Sequence, residues 1–215
     1  MSASSSLDAL FAAERELRRH EAALLQKPKA ELETLLSGAV QEAIGLFPKD
    51  EAEATLRAER LADLCAQIPG AKMADAMLEL LNAPEPSVRA AAGEALLDVA
   101  YERYAEVARA IERAYARGLQ GPALQEIPWL LAEVGEPSAL PLMRPLLQHA
   151  DPEVVASTVE ALVQLGDPGA IDDLQSLAED ERKVRIEELD DEVLLGDLAT
   201  DAITELASRG ESSTH

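Results

Sequence analysis

The chain has 215 residues, a formal net charge of −22 and 47% hydrophobic residues, few of them aromatic. An excess of acidic residues this large repels phosphate backbones, so the sequence argues against nucleic acid as a partner. The favoured explanation of the charge is that it keeps an apolar array in solution, and the alternative is that it attracts a basic protein partner. The single cysteine, Cys65, rules out an intrachain disulfide and a thiolate metal site. Neither an export leader nor an apolar run of membrane-spanning length is present, so we expect a cytoplasmic protein with no membrane partner.

The N-terminal region, residues 1–48, has the pattern of a helical hairpin. Apolar residues recur at helical spacing over 7–25, and Pro28 is placed to begin a second helix over about 28–46. We predict that this hairpin caps the rest of the fold. The buried face of its second helix is predicted to contain Leu32, Leu35, Leu36, Val40, Ile44 and Phe47.

The first helix also has the spacing of a short coiled coil. Leu10, Leu17 and Leu24 lie seven residues apart, which is the period of a dimer seam. Three leucines make a short heptad pattern, so a capping hairpin is favoured. The oligomeric state stays open.

Residues 49–180 repeat themselves. The stretches 85–100 and 151–166 have the same helical pattern of residues, at an offset of 66. A third copy lies between them, because 130–140 matches 161–171 at an offset of 31. A period of this size is typical of helix pairs that bury a core only against their neighbours. The predicted pairs are 50–68 with 71–81, 86–100 with 101–119, 122–134 with 137–148, and 152–165 with 168–178.

Each pair is punctuated in a similar way. Asp or Glu followed by Pro begins a first helix at 85–86 and 151–152, where the acid is placed to cap free amides. Gly-Glu-Pro at 135–137 and Gly-Asp-Pro at 166–168 end one helix and begin the next. The predicted core positions are Leu96, Leu131 and Leu162, with Val99, Val134 and Leu165, and in the first pair Leu56, Leu61, Leu64, Cys65 and Ile68.

After Asp180 the hydrophobic period changes to two. The segment 183–187 alternates polar and apolar residues, and 193–195 is a second short apolar run. Residues 181–209 are therefore predicted to form a β-hairpin followed by a capping helix that ends at Gly210. The last residues, 210–215, are predicted to be a mobile tail.

These repeats resemble the HEAT-like repeats of the type found in phycobilisome lyases. The likeness rests on the Asp/Glu-Pro-x-Val opening, on Ala-Leu in mid-helix and on the turn Leu-Gly-Asp-Pro-Gly-Ala-Ile over 165–171. It covers 85–180 well and 50–84 loosely. The resemblance implies an all-α fold, a right-handed α-α superhelix or α-solenoid, here with a small β-hairpin insertion near the C-terminus. It implies a scaffold and no particular reaction, since the group includes lyases, DNA glycosylases and adaptors.

No motif for catalysis, phosphate binding or metal binding occurs in the chain. The three histidines, His20, His149 and His215, fall on different elements, so we do not expect a shared metal site. Carboxylates are too abundant for any pair of them to indicate acid and base catalysis. We therefore expect no catalytic residue, no metal and no cofactor.

The only tryptophan, Trp129, aligns with Glu94 and Glu160 when the copies are superimposed. Those two residues occupy solvent positions of their helices, so Trp129 is predicted on or near the surface, where tryptophan often anchors a partner. The alternative is that Trp129 fills a gap left by the long helix over 101–119.

Noncatalytic protein binding is the predicted function, with a partner held on an acidic surface formed by the second helices. One alternative is an inhibitor or immunity-type protein that neutralises a basic enzyme by charge complementarity. The other is a lyase-like enzyme that acts on a bound cofactor. The candidate contact residues, taken from repeat phase alone, are Trp129 as an anchor with Tyr104, Arg144, Gln148, Asp172 and Asp173.

Overall fold

The computed structural model describes residues 3–186 and 191–212, which form ten α-helices and one two-stranded antiparallel hairpin. An all-α superhelix with a small hairpin near its C-terminus, as predicted, is therefore confirmed. The elements are α1 Ala3–Leu25, α2 Lys29–Ile44, α3 Glu51–Ala66, α4 Ala71–Leu81, α5 Pro86–Ala116, α6 Ala123–Val134, α7 Ala139–Met143, α8 Pro152–Leu165, α9 Ile171–Gln175, β1 Lys183–Ile186, β2 Asp191–Leu194 and α10 Leu195–Ser212.

The helix pairs share one continuous apolar core, which runs from Leu32 in α2 to Leu206 in α10. Helices α3 and α4 pack against α5, α6 packs between α5 and α8, and α8 packs against α10. The equivalent leucines of three copies, Leu96, Leu131 and Leu162, are fully buried, as predicted. Because each pair supplies one wall of this core, every pair depends on its neighbours for the burial of its apolar face.

Glycine ends the first helix of the third and fourth pairs. Gly135 and Gly166 have φ of 69° and 71°, a left-handed conformation that costs other residues roughly 1–2 kcal/mol. Asp151 and Asp167 then each accept a hydrogen bond from the backbone amide two residues on, at 3.0 and 2.8 Å. The predicted cap at Glu85 is wrong: among the described residues its side chain caps no amide, which fits the preference of this position for the shorter Asp.

The second pair lies within a single kinked helix. α5 contains 31 residues, and the kink falls at Arg103, whose φ and ψ are −142° and 48°. The Arg103 guanidinium donates a hydrogen bond to the carbonyl oxygen of Ala66 at 3.1 Å, and Glu106 accepts one from the amide of Gly70 at 2.9 Å. The kink therefore replaces the Gly-Asp-Pro turn that this copy lacks, two residues later than the predicted break.

The second helices of the third and fourth pairs are shorter than predicted. α7 is followed by a 3₁₀ segment, Arg144–Gln148, and α9 is preceded by another, Pro168–Ala170. Pro145 lies in the first of these segments and has no amide hydrogen to continue an α-helical ladder. Proline thus divides what the hydrophobic period predicts as one helix.

The N-terminal hairpin is present, but α1 leaves the array uncapped over most of its length. The side chains of residues 6–20 are exposed, and only the end of α1, at Leu24 and Leu25, packs against the core. Two predicted core residues, Leu35 in α2 and Leu56 in α3, are exposed as well. They differ from the prediction because α1 does not pack down over this end of the array.

The C-terminal hairpin and α10 close the other end of the array. Val184 pairs with Val193 across the hairpin, and both the Val184 side chain and Leu195 are buried against the repeats. The helix does not end at Gly210, as was predicted, but continues to Ser212; glycine lowers helix propensity by about 1 kcal/mol without forbidding a helical residue. The hairpin loop was predicted over 188–192, but residues 191–192 belong to β2. Residues 188–190 of that loop and residues 213–215 of the tail lie outside the described residues.

Arg182 ties this hairpin to the repeats. Its guanidinium donates hydrogen bonds to the carbonyl oxygens of His149 at 2.8 Å and Ala150 at 3.2 Å, and to the carboxylate of Asp180 at 2.7 Å. One side chain therefore joins the start of β1 to the loop before α8.

Replacing Arg182 with alanine is expected to lower the free energy of unfolding by about 1 kcal/mol, because partly exposed charged hydrogen bonds are lost. Urea unfolding followed by circular dichroism measures the change. Arg109→Ala, at an exposed arginine of α5, is the matched control and is expected to stay within about 0.5 kcal/mol of wild type. Equal stability of the two variants would contradict the role given to Arg182.

The Asp180 carboxylate is expected to give this clamp a pH dependence. Hydrogen bonds from Arg182 hold the pKa of Asp180 below its usual value. The stabilisation is therefore present above the unfolded pKa of about 4 and is lost as pH falls through the lowered folded pKa. The difference in unfolding free energy between wild type and Asp180→Asn should shrink on acidification, and a difference that grows at acid pH would contradict this assignment.

Candidate partner-binding groove

Trp129 lies on the outer face of α6 with 38% of its surface exposed. The residues on either side of it, Pro128 and Leu130, are buried, and Leu131 is buried beneath them. The helical period therefore turns the core residues inward and leaves the indole at the surface, as the alignment of the copies predicts.

A groove of about 380 Å³ runs beside this indole, and we call it the Trp129 groove. Its walls come from the end of α4, the first half of α5, α6 and the end of α8, so four successive pairs build it. Apolar groups lie between charged ones along its length. The lining residues are Leu81, Arg89, Ala90, Gly93, Glu94, Leu97, Glu126, Trp129, Leu130, Glu133 and Gln164.

A second and wider groove, of about 860 Å³, continues from the first along α5. Glu94 lines both, so the two are adjacent. Tyr101, which is 59% exposed, lies in this second groove, and we call it the Tyr101 groove. Its other lining residues come from α3 and α5: Arg60, Asp63, Ala66, Gln67, Glu94, Ala95, Asp98, Val99, Glu102 and Arg103.

The two grooves carry an excess of unneutralised negative charge. Each of their three arginines is paired with a carboxylate: Arg89 with Glu126 at 3.4 Å, Arg103 with Glu102 at 3.0 Å, and Arg60 with Asp63 at 3.0 Å and also with Glu21. Among the described residues, no lysine, arginine or histidine forms an ion pair with Glu94 or Asp98. The rim of the grooves is therefore acidic, with two exposed aromatic rings beside it.

Glu133, on the rim, links three pairs across this surface. One of its carboxylate oxygens accepts a hydrogen bond from the Tyr101 hydroxyl at 3.3 Å, and the other accepts one from the Gln164 amide at 3.0 Å. The pKa of Tyr101 is raised, first by burial of the hydroxyl and then by the negative charge of Glu133 and the hydrogen bond to it. The phenol therefore stays protonated and holds this contact at neutral pH.

The other predicted contact residues lie away from this groove, none of them in its lining. In the 3₁₀ segment after α7, Arg144 donates a hydrogen bond to Asp173 of α9 at 2.7 Å, and Asp172 is exposed next to it. Gln148 lines a separate groove with Pro145 and Asp151.

Tyr104 is half buried against the core just after the kink, and burial raises the pKa of its hydroxyl. Nothing tests Tyr104, Arg144, Gln148, Asp172 and Asp173 as binding residues, so they stay predictions. An ion pair between two repeats is a structural explanation for Arg144 and Asp173.

Residues 122–189 match the family described as HEAT repeats. The chain therefore contains HEAT-like repeats. The finer likeness to the phycobilisome-lyase type of repeat is not tested by this match and stays a prediction. A search of curated proteins finds none that matches this HEAT-like chain.

Solved structures that resemble it are distant. Two engineered proteins from a structural genomics consortium are 18% and 16% identical to this chain; each likeness covers 90% of this chain, with 90% of the first and 54% of the second, at a TM-score of 0.38. Human deoxyhypusine hydroxylase in complex with glycerol is 17% identical, with 93% of this chain and 99% of the enzyme covered, at a TM-score of 0.29. At these TM-scores none of the three carries an argument about function.

The grooves contain residues that the sequence interpretation did not select. Glu94 and Glu160 occupy the same repeat position as Trp129, and one turn later each helix has Asp98, Glu133 or Gln164. The repeat alignment therefore contained a signal for this second set of polar residues, Asp98, Glu133 and Gln164. It contained none for Tyr101, because the place of Tyr101 in the groove depends on the kinked path of α5.

Other kinds of site are not found in the described part of the chain. There, no group of three or more His, Cys, Asp or Glu side chains is placed to bind a metal. None of the described helices combines the length and the apolar character that a membrane span needs. Burial raises the pKa of the Cys65 thiol to about 12, which keeps it protonated and unreactive at neutral pH, as suits a core residue.

Quenching of Trp129 fluorescence tests the charge of the groove directly, because this is the only tryptophan. Each quenching constant is divided by that of free N-acetyltryptophanamide, because iodide quenches indole more efficiently than caesium. The normalised constant is expected to be larger for caesium than for iodide at low ionic strength, since the rim carboxylates attract cations. Replacing Glu94 and Glu133 with glutamine should reduce this difference between the two ions, while Asp172→Asn serves as a control outside the groove. A larger normalised constant for iodide would show that the groove is not negative.

Proposed function

We propose that this HEAT-like chain is a noncatalytic protein-binding scaffold. Its Trp129 groove binds a partner segment in which an apolar side chain is flanked by lysine or arginine. The observation that carries the proposal is the single exposed tryptophan in a groove whose rim carboxylates, Glu94 and Glu133, are not neutralised by an arginine or lysine among the described residues.

The apolar part of the groove explains the anchor. Trp129, Leu97 and Leu130 present apolar surface beside one another, and the space between them admits a large side chain. Binding energy at protein interfaces concentrates in buried aromatic anchors of this kind. An aliphatic or aromatic residue of the partner would therefore supply most of the affinity.

The acidic part of the groove explains the flanking charges. Glu94 lines the Trp129 groove, and Asp98 lies one turn later on α5, in the Tyr101 groove. Two basic residues of an extended or helical segment can therefore form ion pairs with them. Rim charges mainly steer association and select the partner, because they stay partly solvated. The Tyr101 groove extends the same path along α5, which gives a longer segment room to bind.

Inhibition of a basic enzyme is a second candidate function, favoured by one observation. The chain has a net charge of −22, and the carboxylates of the two grooves account for only part of it, so a broad cationic surface would also be attracted. An inhibitor of this kind would not depend on Trp129, because attraction of a whole surface does not require one apolar anchor. No observation favours the enzymatic alternative, and we do not propose it.

Binding of a peptide set separates these readings. The probes are short peptides with one leucine or phenylalanine between lysines, the same peptides with glutamates in place of the lysines, and lysine peptides without the apolar residue. Trp129 fluorescence reports binding to wild type, and labelled peptides report it for variants. We expect only the first set to bind, and Trp129→Ala to weaken it by about 30-fold or more.

Charge variants and a distant control complete the experiment. Replacing Glu94 and Asp98 with Gln and Asn is expected to reduce binding and its salt dependence, whereas Arg144→Ala, outside both grooves, should leave binding unchanged. Binding that ignores Trp129 and disappears with salt would overturn the anchored scaffold and support a surface that neutralises a basic enzyme. Loss of binding with Arg144→Ala alone would place the site on the second helices instead.

A further inference from the structure

The exposed apolar residues of this chain are concentrated at its N-terminal end. Among the described residues, eight large hydrophobic side chains are exposed, and six of them belong to α1, α2 or α3. Scattered exposed leucines are normal in proteins, but a group of six at one end of the molecule indicates an interaction surface. The six are Leu7, Leu10, Phe11, Leu17, Leu35 and Leu56.

Helix α1 carries four of these residues, and none of them belongs to the core. Leu7, Leu10, Phe11 and Leu17 are 53%, 61%, 55% and 42% exposed. Isolated helices are marginal in water, and most helices in proteins are stabilised by packing of an apolar face. A helix of 23 residues with its apolar face in solvent therefore calls for a second surface to cover that face.

A groove of about 490 Å³ continues this apolar surface toward the repeats. Leu17 forms its edge on α1, and Leu56, Leu61 and Leu64 of α3 form its other side, with Ala39 of α2 between them. The stripe on α1 and this groove together form one surface, which we call the N-terminal apolar surface.

We propose that the N-terminal apolar surface is a dimerisation site and that its occupant is the same surface of a second copy of this chain. Leu10 and Leu17, two turns apart on one side of α1, form the centre of the seam. A two-fold dimer of this type brings each residue of the patch against residues of the same patch, so one apolar stripe suffices for both partners.

Charge selects a second copy over other occupants. α1 contains four acidic residues and three arginines, so almost none of the net charge of −22 resides on it. Two copies of this protein repel each other nearly everywhere else, but not along α1. A basic partner would find no excess of carboxylates on this helix, and an anionic membrane would repel the chain attached to it. The charged residues of α1 are Asp8, Glu14, Glu16 and Glu21 with Arg15, Arg18 and Arg19.

Four of the seven charged residues of α1 are paired with one another within the helix. Glu14 accepts a hydrogen bond from Arg18 at 2.8 Å, and Glu16 accepts one from Arg19 at 2.7 Å. These pairs lie within the helix, so they leave association to the apolar residues. The dimer is therefore expected to persist in high salt, which screens exposed charges but not apolar contacts.

Sedimentation equilibrium of the full chain tests the proposal. Wild type is expected at twice the chain mass of 23.0 kDa in the micromolar range, at both low and high salt. Replacing Leu10 and Leu17 together with glutamate should raise the dissociation constant by about 100-fold or more, because two buried leucines per copy are lost. The unfolding transition of the repeats, followed by circular dichroism, should stay unchanged, since neither side chain belongs to the core.

Two controls make the outcome decisive. Ala12→Glu adds the same charge on the opposite side of α1 and should leave the dimer intact, as should Trp129→Ala, which lies in the groove of the proposed function. A wild-type chain that stays monomeric at high micromolar concentration would overturn the proposal. So would a Leu10→Glu, Leu17→Glu double variant that dimerises like wild type. Either result would leave peptide binding at Trp129 untouched.

Discussion

A pair of short helices exposes an apolar face that it cannot cover alone, and stacking on the next pair is what removes that face from water. In this chain the constraint is met by one core that runs without interruption from α2 to α10. The left-handed glycines Gly135 and Gly166 serve it, because they turn the chain sharply enough for the next helix to return over the last. Arg103 achieves the same turn by a kink where no glycine is available.

Once the inner faces are committed to stacking, the outer faces of the first helices are free to carry function. The side chains of Trp129, Glu94 and Glu133 are exposed at the surface, so they do not interrupt the apolar core. Their arrangement nevertheless depends on the stacking, since the walls of the Trp129 groove belong to four different pairs. Glu133 makes that dependence concrete: its two hydrogen bonds join Tyr101 and Gln164, which are 63 residues apart in the sequence.

The repeat pattern predicted what is local and periodic. Comparison of the copies identified the buried leucines at 96, 131 and 162, both glycine turns and the surface position of Trp129. The hairpin strands were predicted from the period of two after Asp180. It did not predict that Tyr101 lies beside Glu133, because that contact depends on the angle between pairs and on the kink in α5. Leu35 and Leu56 were predicted as core for a similar reason, since periodicity identifies an apolar face without showing whether another element covers it.

The C-terminal end of the array is covered within the chain and the N-terminal end is not, and this difference indicates where other molecules can bind. At the C-terminal end, Leu195 and Leu206 of α10 are buried, so that face of the last repeat is covered within the chain. At the N-terminal end, α1 leaves its own stripe and the surface around Leu56 open. The Trp129 groove lies between these ends and shares no lining residue with the N-terminal apolar surface.

Association through α1 would therefore leave a Trp129 groove open on each copy. Two grooves joined in one assembly would bind a partner with two basic segments more tightly than either groove alone, because the second contact becomes intramolecular. A single Trp129 groove of low affinity would then be sufficient for stable recognition of such a partner.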